Sequence, residues 1–279
     1  MPTSNLVSGF ATSQGAKLYF ETCGEGPTLV FIHAGVSDRR MWDPQLDAFS
    51  ARFRVVRYDL RGYGKSPMPA GPYANRDDLM AVLRHLAIDR ATLIGCSMGG
   101  ATAIDFTLEH PTMVTALVPI GAGVSGWSDW SRESIDSYTA AMTLIKQGDL
   151  DGAFELSARY WIVGPTRDLA RVDVKYKQRA WQLYQDNFSP ELFHSQEELM
   201  DPPAIKRLAE IKCPTMVVVG DSDTEDIRKL AQQLAREIPG ARLETVDNSA
   251  HLPNLEHPAQ FNQRLDSFLA TLRKKPAPT

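Results

Sequence analysis

Short apolar runs alternate along this chain with longer stretches of helical periodicity. Runs at 17–22, 28–32, 54–58, 91–94, 114–120 and 215–219 are largely apolar or β-branched and predict strands, the first two as an early pair, and 242–246 reads as a further short strand. Helical patterns cover 42–51, 76–87, 98–110, 226–237 and 258–273. This alternation predicts an α/β fold: a mostly parallel central sheet with helices on both faces.

The alternation breaks after 114–120. From 123 to 203 there is no strand signal, only helix-like segments at 131–146, 150–163 and 169–187 and a short one at 190–199. Gly123 and Gly126 at one end and Pro202-Pro203 at the other mark its boundaries. The expected organisation is a core of residues 1–122 and 204–279 with an inserted helical cap, 123–203. The insertion is rich in aromatics, among them Trp127, Trp130, Tyr160, Trp161, Trp181, Tyr184, Phe188 and Phe193. Trp181, Tyr184 and Phe188 are spaced for one helical face, which packs a cap onto a core as readily as it lines a pocket. Trp161 and Trp181 are expected to touch substrate.

Composition narrows the class. With 279 residues and 43 % hydrophobic content, the chain can bury one large core or a core plus a lid. Thirty basic and 34 acidic residues are interspersed, for a net charge of −4, with no basic face for nucleic acid or anionic lipid. The short basic run at 273–275 reads as a solvated tail, and 274–279 is expected to be disordered. No stretch approaches a membrane span, and the first five residues lack the basic start and apolar core of a signal peptide. Cys23, Cys96 and Cys213 show no metal or redox spacing. The expectation is a cytoplasmic protein, monomer or homodimer, acting on a small molecule, with no nucleic acid, membrane, metal or cofactor partner.

The most informative segment is Gly95-Cys96-Ser97-Met98-Gly99. A strand precedes it and an alanine-rich helical run follows, the context of a nucleophile elbow. In so sharp a turn, side chains two residues either side of the serine would collide with neighbouring backbone, so glycine fits there. Ser97 is thus the candidate nucleophile; the bland alternative is a serine that only caps a helix.

A serine nucleophile needs a base and an acid, and Ser, Asp, His is one of the chain orders in which such triads occur. His251 lies in a polar loop between the run at 242–246 and the last helix, and it is the candidate base. His85, His110, His194 and His257 fall in or beside helices, and His33 ends a strand, where it suits propping a loop. Three acids follow the run at 215–219: Asp221, Asp223 and Asp226. Spacing favours Asp223, which has chain enough after Gly220 to turn towards the histidine loop; Asp221 and Asp226 read as a solvated acidic turn and a helix start. An oxyanion hole would use the amide of Met98 and one from the loop after 28–32, Gly35 or, as alternative, Val36.

With these motifs in place, the chain resembles the α/β-hydrolase superfamily over nearly all its length apart from roughly 124–203. Asp59-Leu60-Arg61-Gly62-Tyr63-Gly64-Lys65-Ser66 matches that superfamily's Asp-x-Arg-Gly-x-Gly-x-Ser loop, in which Asp59 and Arg61 read as structural. Arg40-Met41-Trp42-Asp43-Pro44-Gln45 and His251-Leu252-Pro253-Asn254-Leu255-Glu256 are similar to 3-oxoadipate enol-lactonases and related esterases. His33 and Cys96-Ser97-Met98 depart from those lactonases, which tend to have serine and Leu-Ser-Leu there. The resemblance implies a cofactor-free serine hydrolase acting on a carboxylic ester or lactone. Serine at the elbow argues against the haloalkane dehalogenase and epoxide hydrolase branches, which use aspartate. Carbon–carbon, amide and perhydrolase chemistry use the same triad, and such a scaffold also serves non-catalytic small-molecule receptors.

Overall fold

A computed structural model describes residues 6–189, 192 and 196–273. Its eight strands are β1 (Val7–Ser13), β2 (Ala16–Cys23), β3 (Thr28–Ile32), β4 (Arg54–Tyr58), β5 (Ala91–Cys96), β6 (Val114–Ile120), β7 (Met216–Gly220) and β8 (Arg242–Val246). They form one sheet in the order β1-β2-β4-β3-β5-β6-β7-β8. Only the β1–β2 and β2–β4 pairs are antiparallel.

Two expectations fail at the antiparallel edge. Strands 17–22 and 28–32 are not a pair, because β4 lies between β2 and β3. Charge fixes that neighbour: Glu21 stands opposite Arg57 in the β2–β4 register and accepts from its guanidinium at 2.7 Å. Strand β1 was not foreseen. It closes on β2 through a two-residue turn, Gln14-Gly15, with φ of 45° and 83°. Its outer residues are largely exposed, so its hydrophobic alternation is weak.

Helices α1 (Asp43–Phe49), α2 (Asn75–His85), α3 (Met98–Glu109), α7 (Glu225–Glu237), α8 (Pro253–Glu256) and α9 (Pro258–Arg273) belong to the alternating part of the chain. Side chains alternate across the sheet. Val30 and Ile32 of β3 join a core with Leu79 of α2, Ile104 of α3 and Leu230 of α7. Leu29 and Phe31 point the other way, to Leu46 of α1 and Phe261 of α9.

Between β6 and β7 run α4 (Arg132–Lys146), α5 (Leu150–Ala158), a π turn (Arg159–Val163) and α6 (Val174–Asn187). Phe154, Ile162 and Leu183 of this segment pack into the α1–α9 side of the core. Its two ends lie together: Ala204 N–H donates to Ser125 Oγ at 3.0 Å, and Ile205 N–H to Ser125 O at 3.1 Å. The short helix expected at 190–199 is absent from 196–199. There the backbone pairs with Tyr73 instead, through Tyr73 N–H to Gln196 O and Glu198 N–H to Tyr73 O. Residues 190, 191 and 193–195, including Phe193 and His194, lie outside the described residues, as do 1–5 and the tail 274–279. Among the described residues no helix is long and apolar enough to cross a membrane.

Candidate active site

Ser97 joins β5 to α3 with φ 53° and ψ −113°, a conformation that L-residues adopt only under constraint. The constraint is visible. Ser97 N–H donates to Ile120 O of β6 at 2.8 Å, and Gly123 N–H to Ser97 O at 3.2 Å. A Cβ on Gly95 would stand 2.1 Å from Gly99 O, and one on Gly99 would stand 2.3 Å from Ile32 O. Both glycines of the expected elbow are therefore required by contact with backbone. Met98 opens α3, so its N–H has no intrahelical acceptor and lies at the positive end of the helix.

The carboxyl ends of β7 and β8 supply the other two candidates. Asp223 follows β7, and its Oδ2 lies 2.9 Å from His251 Nδ1, with both side chains at most 2 % exposed. The other oxygen, Oδ1, accepts Thr224 N–H at 2.8 Å. Asp221 turns elsewhere, as expected, and accepts from Ser249 N–H and Ser222 Oγ–H. Asp226 is not the solvated helix start that the sequence suggested. It is fully buried and accepts from Ser131 N–H at 3.0 Å, from Ser131 Oγ–H at 2.8 Å and from Ser134 Oγ–H. Burial raises this carboxyl's pKa, but the Ser134 and Ser131 bonds outweigh it and hold it below the ordinary value. The serines that open α4 recruit it, so a core carboxylate anchors the inserted helices.

The loop after β3 completes the frame. Gly35 and Val36 face Ser97 across the site, and among the described residues neither amide has a hydrogen-bond partner. His33 props this loop. Its Nε2 accepts Leu60 N–H at 2.9 Å, which leaves the proton on Nδ1 to donate to Ala34 O at 2.9 Å. Burial lowers its pKa, so this histidine stays neutral. Asp59 and Arg61 are structural: Asp59 binds Arg39 and the Lys65 amide, and Arg61 pairs with Asp78 at 2.6 Å.

Gly35, Ser97, Trp161, Tyr184 and His251 line one cavity of about 250 Å³. Among its described lining residues none has a carboxylate, ammonium or guanidinium. Ser97 Oγ has no hydrogen-bond partner among the described residues. Trp161, on the π turn, lies against the imidazole with ring centroids 4.7 Å apart. Trp181 does not reach the cavity. It packs edge-on against Phe154 and donates Nε1–H to Glu155 at 3.3 Å.

Other residues at the site went unforeseen. Gly121 ends β6 with φ 48°, and a Cβ there would lie 3.1 Å from Asp223 Oδ2 and 3.2 Å from His251 Nδ1. Its only sequence signal is a glycine directly after a strand. Glu256 fixes the histidine loop by accepting Ala250 N–H at 2.9 Å, and it pairs with Arg167 of the insertion at 2.7 Å. Asn187 ties the insertion to the core by accepting Gly64 N–H and donating to Asp38. Cys96 is no rival nucleophile: burial pushes its thiol pKa well up.

Known proteins resemble this chain over most of its length. The chain is 28 % identical to carboxylesterase YbfK of Bacillus subtilis (88 % of this chain, 81 % of that protein) and 25 % identical to 3-oxoadipate enol-lactonase 2 of Acinetobacter baylyi (92 % and 95 %). It is 29 % identical to 2-hydroxy-6-oxononadienedioate/2-hydroxy-6-oxononatrienedioate hydrolase of Klebsiella pneumoniae (96 % of each). The solved structure of Est816, described as an N-acyl homoserine lactone degrading enzyme, superposes with a TM-score of 0.78 at 28 % identity, over 93 % of this chain and all of that one. The profile of the alpha/beta hydrolase family matches residues 29–264. The chain therefore belongs to the alpha/beta hydrolase family.

Proposed function

We propose that this hydrolase cleaves a neutral carboxylic ester or lactone of a small, largely apolar compound, with residues 123–203 as its cap. Ser97 Oγ attacks the carbonyl carbon while His251 Nε2 takes its proton. Asp223 keeps the imidazole proton on Nδ1 and offsets the imidazolium charge as it forms. The amides of Met98 and Gly35 stabilise the oxyanion of the tetrahedral intermediate. The intermediate collapses, His251 gives its proton to the leaving alkoxide, and the acyl group stays on Ser97. Water then attacks that acyl-enzyme with His251 again as base, and the acid is released. No cofactor takes part in these steps.

The observation that supports this reading is the buried Asp223–His251 pair sharing one cavity with a serine held at positive φ. Ser97 Oγ and His251 Nε2 share no hydrogen bond among the described residues, and catalytic contacts of this type commonly tighten only with substrate bound. The relatives named for esters, enol-lactones and a keto-dioate divide over the reaction. The cavity favours the neutral end of that range, because a dioate would meet no cationic side chain among the described lining residues.

The test is hydrolysis of p-nitrophenyl acetate by the wild type and by Ser97→Ala. The variant is expected to lose up to about 10⁶ in kcat with its circular dichroism unchanged. A folded variant that keeps a tenth of wild-type activity removes Ser97 from the mechanism.

A further inference from the structure

A second cavity, of about 410 Å³, lies inside the inserted segment. Trp130, Ile135, Tyr138 and Ala141 line it from α4 and the turn before it. Trp161 and Tyr184 line both this cavity and the one at Ser97, so the two spaces share part of their walls.

The chemistry of the lining selects the occupant. None of its residues is ionised at neutral pH. Four of its hydroxyls are paired, Ser134 Oγ with Tyr160 OH at 2.7 Å and Ser157 with Tyr184, and Ser134 also donates to Asp226. Burial pushes the Tyr184 hydroxyl's pKa up to about 12, so it too stays neutral. What remains to face a ligand is mostly aromatic and aliphatic carbon, with the hydroxyls of Ser137 and Tyr138. Trp130, Ile135 and Tyr138 leave 41 %, 49 % and 61 % of their surface exposed, a concentration of uncovered apolar area on the first turns of α4 and the segment just before it.

We propose that this cavity receives the apolar tail of the substrate whose ester group lies at Ser97, with Trp161 and Tyr184 as the wall along which the tail passes. The substrate class is thereby narrowed to neutral esters or lactones with an extended acyl chain. This rests on the ester-hydrolase reading, and continuity of lining is what assigns the tail, rather than a second copy of the chain, to the exposed face.

The test compares p-nitrophenyl octanoate with p-nitrophenyl acetate in the wild type, in Ser137→Trp and in Tyr138→Ser. Ser137 lines only the second cavity and is partly exposed, so an indole there fills the space from the outer helix. Each methylene moved out of water is worth up to about fourfold in kcat/KM. Ser137→Trp is expected to lower the octanoate-to-acetate ratio by about tenfold or more while acetate turnover stays unchanged. Tyr138→Ser, at an exposed position, is expected to lower it by a few-fold. Independently of turnover, methyl octanoate titrated into Ser97→Ala should quench tryptophan fluorescence at about tenfold lower concentration than methyl acetate, and adding Ser137→Trp should abolish the difference. An unchanged ratio in both folded variants overturns the proposal. So does an unchanged ratio together with a shift from dimer to monomer on gel filtration, which would make this face a self-contact. If neither ester is turned over but methyl octanoate binds and Ser137→Trp releases it, the tail site stands and the hydrolase reading fails.

Discussion

Asp223→Asn tests the site most sharply, because the geometry dictates which way the new amide points. Asp223 has two acceptor oxygens and both are used: Oδ1 takes Thr224 N–H at 2.8 Å and Oδ2 faces His251 Nδ1 at 2.9 Å. Asparagine has one. An NH₂ group cannot face the Thr224 N–H, which is fixed by the backbone, so the amide oxygen stays there and the NH₂ turns to His251. The imidazole answers by moving its proton from Nδ1 to Nε2. A protonated Nε2 cannot accept the proton of Ser97. The expected loss is about 10⁴ in kcat, or about 5 kcal/mol of transition-state stabilisation. Asp221→Asn keeps an acceptor for Ser249 N–H and is expected to change kcat by only a few-fold. The assay is kcat on p-nitrophenyl acetate, read beside the ¹⁵N shifts of His251, which report the tautomer. A full loss of activity with the proton still on Nδ1 would refute the tautomer argument. If Asp221→Asn proves the more damaging of the two, the acid has been misassigned.

Trp181→Ala is expected to lower stability by about 2 kcal/mol, and Tm by ~5 °C, while leaving the ranking of ester substrates unchanged; a changed ranking would place the indole in the specificity pocket after all. Asp226→Ala strips a buried acceptor from three donors and is expected to cost about 3 kcal/mol, with faster hydrogen exchange in the first turn of α4; wild-type exchange there would mean that the helix is held by other contacts. Burial raises the Asp38 carboxyl's pKa, but hydrogen bonds from Arg40 and Asn187 overcome it and hold the pKa at about 2. A depressed carboxylate stabilises the fold above its unfolded pKa and ceases to do so as pH falls through the folded one. Asp38→Asn is therefore expected to cost about 2 kcal/mol at pH 7, and the gap to wild type should close between about pH 4 and pH 2. Denaturant melts across that window check the sign: a gap that widens on acidification contradicts it.

What the sequence disclosed follows from where the constraints are local. The elbow is legible because its turn compresses five residues against backbone, which leaves a glycine signature at fixed spacing. The candidates Ser97, Asp223 and His251 stand out in the sequence because each lies in a turn or loop that follows a predicted strand. The edge hairpin was hidden because most of β1 faces solvent, which weakens its alternation, and because the β2–β4 pairing that seats it skips over β3 in the chain. Trp161 and Trp181 could not be separated from sequence: both are large, both lie on helical segments of the insertion, and only the π turn at 159–163 presents one of them to the imidazole. Asp226 was misread for a related reason. An acid in the first turn of a helix is ordinary, and its partners, Ser131 and Ser134, lie more than ninety residues away in the chain.

That misreading exposes a feature of the design. The turn after β7 and the first turn of α7 together carry two buried carboxylates three residues apart. Asp223 reaches sideways to His251, while Asp226 reaches up to the N-terminus of α4. From α4 the contacts return: Ser134 meets Tyr160 OH at 2.7 Å, Tyr160 packs edge-on against Trp161 at 5.0 Å, and Trp161 lies 4.7 Å from the imidazole. His251 is therefore bounded on its Nδ1 side by a core carboxylate and on its face by an indole of the insertion, and the same turn anchors both. Glu256 repeats the pattern from the other flank, holding the Ala250 amide just before His251 and pairing with Arg167 of the insertion. This loop histidine, at most 2 % exposed, takes its orientation from groups that also seat the inserted helices. The inserted segment then does two things at once. It walls the cavity in which Ser97 lies, and it limits the directions in which the imidazole beside that serine can turn.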